Sequence, residues 1–267
     1  LAHYNWGIIL QQQNNFDEAL PHFRSAVQND PQNAESRNML GNALMRAGKF
    51  DEGAEAIMTA VKLDPRLPQA QLSAGNLMLQ RKQLPEAIQY FTEAVRLKPD
   101  FTDAHYALGN AIAMSGKIDQ ALPHFAEVVR LNPNVADGYL PLGLALQQTG
   151  NLDSALRAYR EGLRVNPDFF PIMIRLGWIL ATHPESKWRD GVEAMRLATR
   201  AVELSHENSA EALDLLAAAY AETGKYAEAA GTAQKAVSLA QSAKQPAQAG
   251  QIEARLQLYK QERSYRQ

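Results

Sequence analysis

The chain has 267 residues, 46% apolar and 21% charged, with a formal net charge of −2. Those proportions are those of an ordinary folded protein, and the small charge gives no long-range field to gather nucleic acid or an anionic membrane. With no Cys, disulfides, thiolate metal sites and thiol nucleophiles are excluded.

The first residues, "LAHYNWG", begin inside a periodic pattern, without an initiator Met or a signal segment. A piece of a longer polypeptide or a processed chain is expected, in the cytoplasm or the periplasm. From there Gly recurs at Gly7, Gly41, Gly75, Gly109, Gly143 and Gly177, a constant 34 residues apart. Pro keeps the same interval at Pro31, Pro65, Pro99, Pro133 and Pro167. A small residue does so at Ala19, Gly53, Ala87, Ala121 and Ala155, followed four positions later by Phe23, Ile57, Phe91, Phe125 and Tyr159. Interlocked ladders of one period mark a repeat architecture.

Each unit reads as two helices. The first, as in "AESRNMLGNALMRA", spaces its apolar residues at i, i+3, i+4 and i+7. It is expected to stop at Asn14, Gly48, Gly116, Gly150 or Gly224, residues that accept a left-handed conformation, with Lys82 the odd member. The second helix carries Asp17, Asp51, Asp119 or Asp153 at its start, where a carboxylate can cap free N–H groups. Pro21 and Pro123 are expected in or near its first turn, and the recurring Pro ends it. The predicted units run about 1–33, 34–67, 68–101, 102–135, 136–169, 170–209 and 210–245. In the sixth, "HPESKW" delays the second helix by five residues, as an insertion would. His183, Glu185 and Asp190 in that stretch have no second constellation to make an acid–base pair, so a structural loop is expected. A final helix over about 247–264 puts Ala249, Ile252, Leu256 and Tyr259 on one face, as a capping element requires.

These ladders resemble the tetratricopeptide repeat family, whose pattern has Leu-Gly in the first helix, Ala and then an aromatic in the second, and Pro at the end. "ALGNAIAMSGKIDQALPHFAEVVRLNP" fits it nearly throughout, and the resemblance covers about residues 1–245. It implies an all-α, right-handed superhelical solenoid, here one domain of seven repeats and a cap. It implies a protein-interaction scaffold that binds a peptide or a partner helix in its concave groove, with no catalytic residues and no cofactor. The end of the chain also resembles bacterial repeat proteins. Some of those carry a membrane glycosyltransferase-like domain ahead of the repeats, so a non-catalytic region of a larger enzyme is the alternative. A self-assembly module, and with it a homo-oligomer, is the third reading.

On the family's register the groove residues are Asn5, Asn38, Asn42, Arg46, Asn76, Tyr106, Asn110, Gln147 and Trp178. Asn42, Asn76 and Asn110 each follow the ladder Gly. A side-chain amide offers donors and an acceptor to both groups of a peptide backbone. The row is similar to the asparagine ladder of eukaryotic O-GlcNAc transferases. The basic clamp of chaperone adaptor repeats is absent, since its places hold Tyr4, Asn38, Leu72 and Tyr106. Metal binding is not expected. His3 and His105 share a repeat position, as do His22 and His124, and stacked helix pairs rising about 10 Å per unit leave equivalent residues roughly 30 Å apart. No phosphate loop or nucleophile motif accompanies the Gly-Lys pairs. The expected partners are proteins or peptides, with neither nucleic acid nor membrane.

Overall fold

The computed structural model describes residues 2–267; Leu1 lies outside the described residues. Helix packing divides the chain into two compact units, Leu1–Pro133 and Asn134–Gln267. Among the described residues no strand occurs.

The first unit holds four helix pairs: α1 (Ala2–Gln12) with α2 (Phe16–Asn29), α3 (Ala34–Arg46) with α4 (Phe50–Leu63), α5 (Pro68–Gln80) with α6 (Leu84–Leu97), and α7 (Thr102–Met114) with α8 (Ile118–Leu131). The second helices α2, α4 and α6 also pack on the first helix of the next pair. The Gly ladder and the bulky ladder turn out to be two halves of one contact. Phe23, Ile57, Phe91 and Phe125 are buried, each with its side chain against the bare backbone of Gly7, Gly41, Gly75 or Gly109. A Cβ built on Gly109 would stand 2.8 Å from Phe125 Cε1, and one on Gly7 would stand 2.6 Å from Phe23 Cε1. The glycine is therefore a packing requirement inside a helix, strong enough to override its poor helix propensity.

The turn between the two helices of a pair needs a residue with positive φ. Gly48 and Gly116 supply it at 74° and 80°, and Asn14 and Lys82 supply it at 61° each. Lys82 thus departs from the pattern in type but not in conformation. The Asp residues do less than expected. The second helices begin one residue earlier, so Asp17, Asp51 and Asp119 sit inside the first turn, and α2, α4 and α8 show no side-chain cap. In the first turn these carboxylates still favour the helix through its dipole. Pro21 and Pro123 are the sixth residues of α2 and α8, deeper than the first turn. The first helices are better capped at α3, where Asn33 accepts from the Ser36 N–H at 2.8 Å.

A second ladder of hydrogen bonds closes each pair onto the next. The Arg37 Nε–H donates to the Pro31 carbonyl at 2.9 Å, Gln71 Nε2 to Pro65 at 2.7 Å, and His105 Nε2 to Pro99 at 3.0 Å. Three different side chains at one repeat position satisfy the same orphan carbonyl.

The second unit holds α9 (Tyr139–Gln148) with α10 (Leu152–Val165), α11 (Phe170–Thr182) with α12 (Gly191–Leu204), α13 (Ala210–Glu222) with α14 (Tyr226–Ser242), and α15 (Pro246–Lys260). A 3₁₀ turn, Ala136–Gly138, leads into α9. Pro141, two residues into that helix, has no N–H to bond back across the junction. Tyr159 packs on Gly143 and Leu215 on Gly177. The inserted stretch between α11 and α12 is a closed loop around the 3₁₀ turn Ser186–Trp188. The Asp190 carboxylate caps α12 through the N–H groups of Val192 and Glu193, at 3.1 and 2.9 Å. Arg189 donates to the His183 and Pro184 carbonyls at 2.9 Å and pairs with Glu222 at 2.8 Å. The charges of this loop hold its shape and tie it to α12 and α13. On α15, Ala249, Ile252, Leu256 and Tyr259 are all buried.

Candidate interaction surface

In the first unit α6 and α8 each pair charges within the helix. Glu93 pairs with Arg96 and Glu127 with Arg130, both at 2.6 Å and one turn apart. Such exposed pairs contribute little. Hydrogen bonding to its Arg partner, with charge attraction adding, holds each carboxyl below its ordinary range.

The predicted amide row lies on the first helices of the pairs, α3, α5 and α7, but its members are not equivalent. Asn76 on α5 is exposed and Asn110 on α7 is half-buried. Asn42 on α3 is already engaged, donating through Nδ2 to Ser73 Oγ at 3.0 Å. Asn38 departs furthest from a surface role. It is 3% exposed, with its Oδ1 lacking a protein hydrogen-bond partner. It borders a cavity of 120 Å³ shared with Tyr4, Glu35, Met39, Leu67 and Gln69. Burial, with the Glu35 carboxylate adding, pushes the Tyr4 phenol up. Asn5 is exposed at the start of the unit. Tyr106 is 43% exposed, and Arg46 lies over the Phe16 ring, 4.3 Å from its centroid.

In the second unit Gln147 and Trp178 line one cavity of 610 Å³ among α9, α11, α13 and α15, together with Asp214, Arg255, Tyr265 and Gln267. Its centre is electrostatic. Arg255 makes two hydrogen bonds to the Asp214 carboxylate, through Nε and Nη2, and both side chains are largely buried. The guanidinium also sits 5.3 Å from the Trp178 ring and 5.4 Å from the Tyr265 ring. Burial outweighs the Arg255 partner and raises the Asp214 carboxyl. Burial likewise pushes the Tyr159 hydroxyl up to about 12; that hydroxyl donates to Gln147 Oε1 at 3.3 Å. The His183–Trp188 loop borders a separate cavity of 520 Å³ that Gln147 and Gln267 also reach.

Two features escape a reading by repeat position. His3 and His22 bring their Nδ1 atoms to 3.0 Å, and His105 and His124 to 3.1 Å. Comparing equivalents across repeats separates these residues, whereas the partners belong to the two helices of one pair. Among the described residues no group of three or more His, Cys, Asp or Glu could hold a metal ion. Nor is any described helix long and apolar enough to cross a membrane. The other missed feature is the segment after α15, which reaches into the 610 Å³ cavity through Tyr265 and Gln267; its only sequence signal is an aromatic beside a basic residue.

Sequence models described as tetratricopeptide repeat match residues 4–68, 38–100 and 85–136, and a second such model matches 113–176. No curated protein sequence matches the chain. Solved structures do. MamA superposes with a TM-score of 0.52 at 24% identity, over 60% of this chain and 94% of that one. YrrB, described as a TPR protein with an unusual peptide-binding site, gives 0.51 at 23% identity over 64% and 88%. TTC0263, a thermophilic TPR protein of Thermus thermophilus, gives 0.53 at 22% over 65% and 95%. At these identities the likeness is one of fold.

Proposed function

Because the chain belongs to the tetratricopeptide repeat family, we propose that it is a non-catalytic protein-interaction scaffold that holds an extended peptide or a partner helix along the first helices of its pairs. The observation that carries this is the amide row, Asn42, Asn76 and Asn110, at one repeat position on α3, α5 and α7. Amides at a fixed pitch can bond alternately to the N–H and C=O groups of a bound backbone with little regard for its sequence. Charged side chains, by contrast, would demand charged partners. The fold-level likeness to YrrB, whose description includes a peptide-binding site, supports the reading.

Peptides selected from a random displayed library against the whole chain supply the probe. Asn42 is committed to Ser73, so Asn76 and Asn110 would contribute most, at about 1 kcal/mol each. Changing both to Ala should weaken a selected peptide roughly 30-fold by calorimetry, with little change in melting temperature. Unchanged affinity would remove the amide row from the binding surface. A collapsed melting temperature with intact affinity would make those residues structural.

A further inference from the structure

A second binding site lies in the other unit, where a piece of the chain already occupies it. After α15, Glu262 takes a positive φ of 54°, and the Arg263 N–H bonds to the Leu258 carbonyl at 3.0 Å. This reversal sends Ser264–Gln267 back across the ends of α13 and α11. Ser264 Oγ donates to the Ala221 carbonyl at 2.8 Å, and the Tyr226 hydroxyl lies 3.3 Å from that Oγ. Tyr265 places its ring against the Arg255 guanidinium. Arg266 pairs with Glu222 at 2.7 Å and reaches the Ala181 carbonyl. The Gln267 N–H donates to the Thr182 carbonyl at 3.0 Å.

Every contact answers a feature of the surface beneath. Ala181, Thr182, Ala221 and Glu222 belong to the last turns of α11 and α13, where carbonyls can accept from outside the helix and the dipole is negative; the Ala221 carbonyl takes the Gly224 N–H at 3.1 Å as well as the Ser264 hydroxyl. Those ends favour backbone N–H groups, hydroxyls and cations. Glu222 adds a carboxylate held in place from the other side by Arg189 at 2.8 Å. Arg255 is fixed by Asp214 and Trp178, so it presents a preset face to an aromatic ring.

We infer that these last turns, with Arg255 and Glu222, form a site for an extended hydroxyl–aromatic–basic segment, and that Ser264–Gln267 is its resident occupant. An external peptide of that chemistry binds by displacing the resident. The proposal rests on the reading of the chain as a peptide-binding scaffold but uses none of the asparagine row, so either can fail alone.

The probe is a fluorescein-labelled synthetic peptide with the sequence of residues 262–267, followed by anisotropy against the whole chain and against Tyr265→Ala/Arg266→Ala. A tethered occupant acts at an effective concentration of roughly millimolar, so the variant should bind the peptide at least about 10-fold more tightly than the parent. A peptide with its own Tyr and Arg changed to Ala should bind the two proteins alike. Equal binding to both proteins, or none to the variant, overturns the proposal. On the unaltered chain, hydrogen exchange gives a second readout that needs no variant. The Gln267 amide should be protected, and exchange at the rate of an unstructured peptide would overturn the resident role. Introducing Asn76→Ala/Asn110→Ala into both proteins should leave the difference between them unchanged, and loss of that difference would overturn the proposal.

Discussion

His105 and His124 face one another Nδ1 to Nδ1 at 3.1 Å across the α7–α8 pair, with ring centroids 5.3 Å apart. Because His105 Nε2 donates to the Pro99 carbonyl, the neutral ring keeps its proton there and its Nδ1 is an acceptor. His124 then donates, and one proton serves two nitrogens. A second proton would set two N–H groups head to head. Burial, and then the nearby His105, lowers the affinity of His124 for that proton. Glu127 is the carboxylate that senses His105 from the same helix as His124.

The sign of the pH dependence follows. A histidine whose folded-state pKa is depressed stabilises the fold above its ordinary value of 6.5, and that contribution is lost as pH falls below it. The melting temperature should therefore drop between pH 7.5 and pH 5.5, and His124→Gln should flatten the drop. A parent profile without slope in that range, or a variant profile identical to the parent's, would refute the coupling.

Glycines in these helices should respond to alanine in opposite directions according to what they touch. At Gly109 the new methyl meets Phe125, which is buried and has nowhere to go; Gly109→Ala should cost about 1–3 kcal/mol. Gly250 lies inside α15 with nothing within 4 Å of the added carbon, so Gly250→Ala should stabilise by about 0.5–1 kcal/mol through helix propensity. Urea denaturation measures both. Equal effects would mean that the Gly–aromatic contact is not the reason for the ladder.

Lys82 holds a left-handed φ of 61° in a place where Gly48 and Gly116 are strain-free. Lys82→Gly relieves a cost of about 1 kcal/mol for an L-residue, partly offset by the greater freedom of glycine when unfolded. A net gain of a few tenths of a kcal/mol is expected, and a loss on thermal melting would show that the Lys side chain supplies a compensating contact.

Breaking the Asp214–Arg255 pair should be among the most damaging single changes. Arg255→Met strands a buried carboxylate and should cost about 3–5 kcal/mol, whereas Asp214→Leu with Arg255→Met should recover most of it. A double variant as unstable as the single one would assign the loss to packing around Trp178 and not to charge.

The helix pairs were legible because their markers are identities: a Gly that admits an aromatic ring, a Pro that ends a helix. What one residue type alone can do leaves a ladder. The hydrogen bond to the Pro carbonyl left none, because Arg37, Gln71 and His105 can each make it. The His pairs were hidden for a geometric reason, since their partners are 19 residues apart on two helices of one pair. Among the groove residues, position on the register was readable but engagement was not. Nothing local in the sequence distinguishes Asn42, tied to Ser73, from Asn76, which is exposed. The resident segment depends on a reversal at Glu262, a residue type that seldom takes positive φ.

The Gly–bulky contacts of the first unit are four copies of one latch in series: Gly7–Phe23, Gly41–Ile57, Gly75–Phe91 and Gly109–Phe125. Each joins helices that are neighbours in the chain, so pulling on the two ends of the unit strains them in succession and none shields the rest. A released pair frees 34 residues, which extend by about 110 Å. Under tension such a unit should lengthen by whole pairs in near-equal steps, and the same local contacts should re-form when the force is removed.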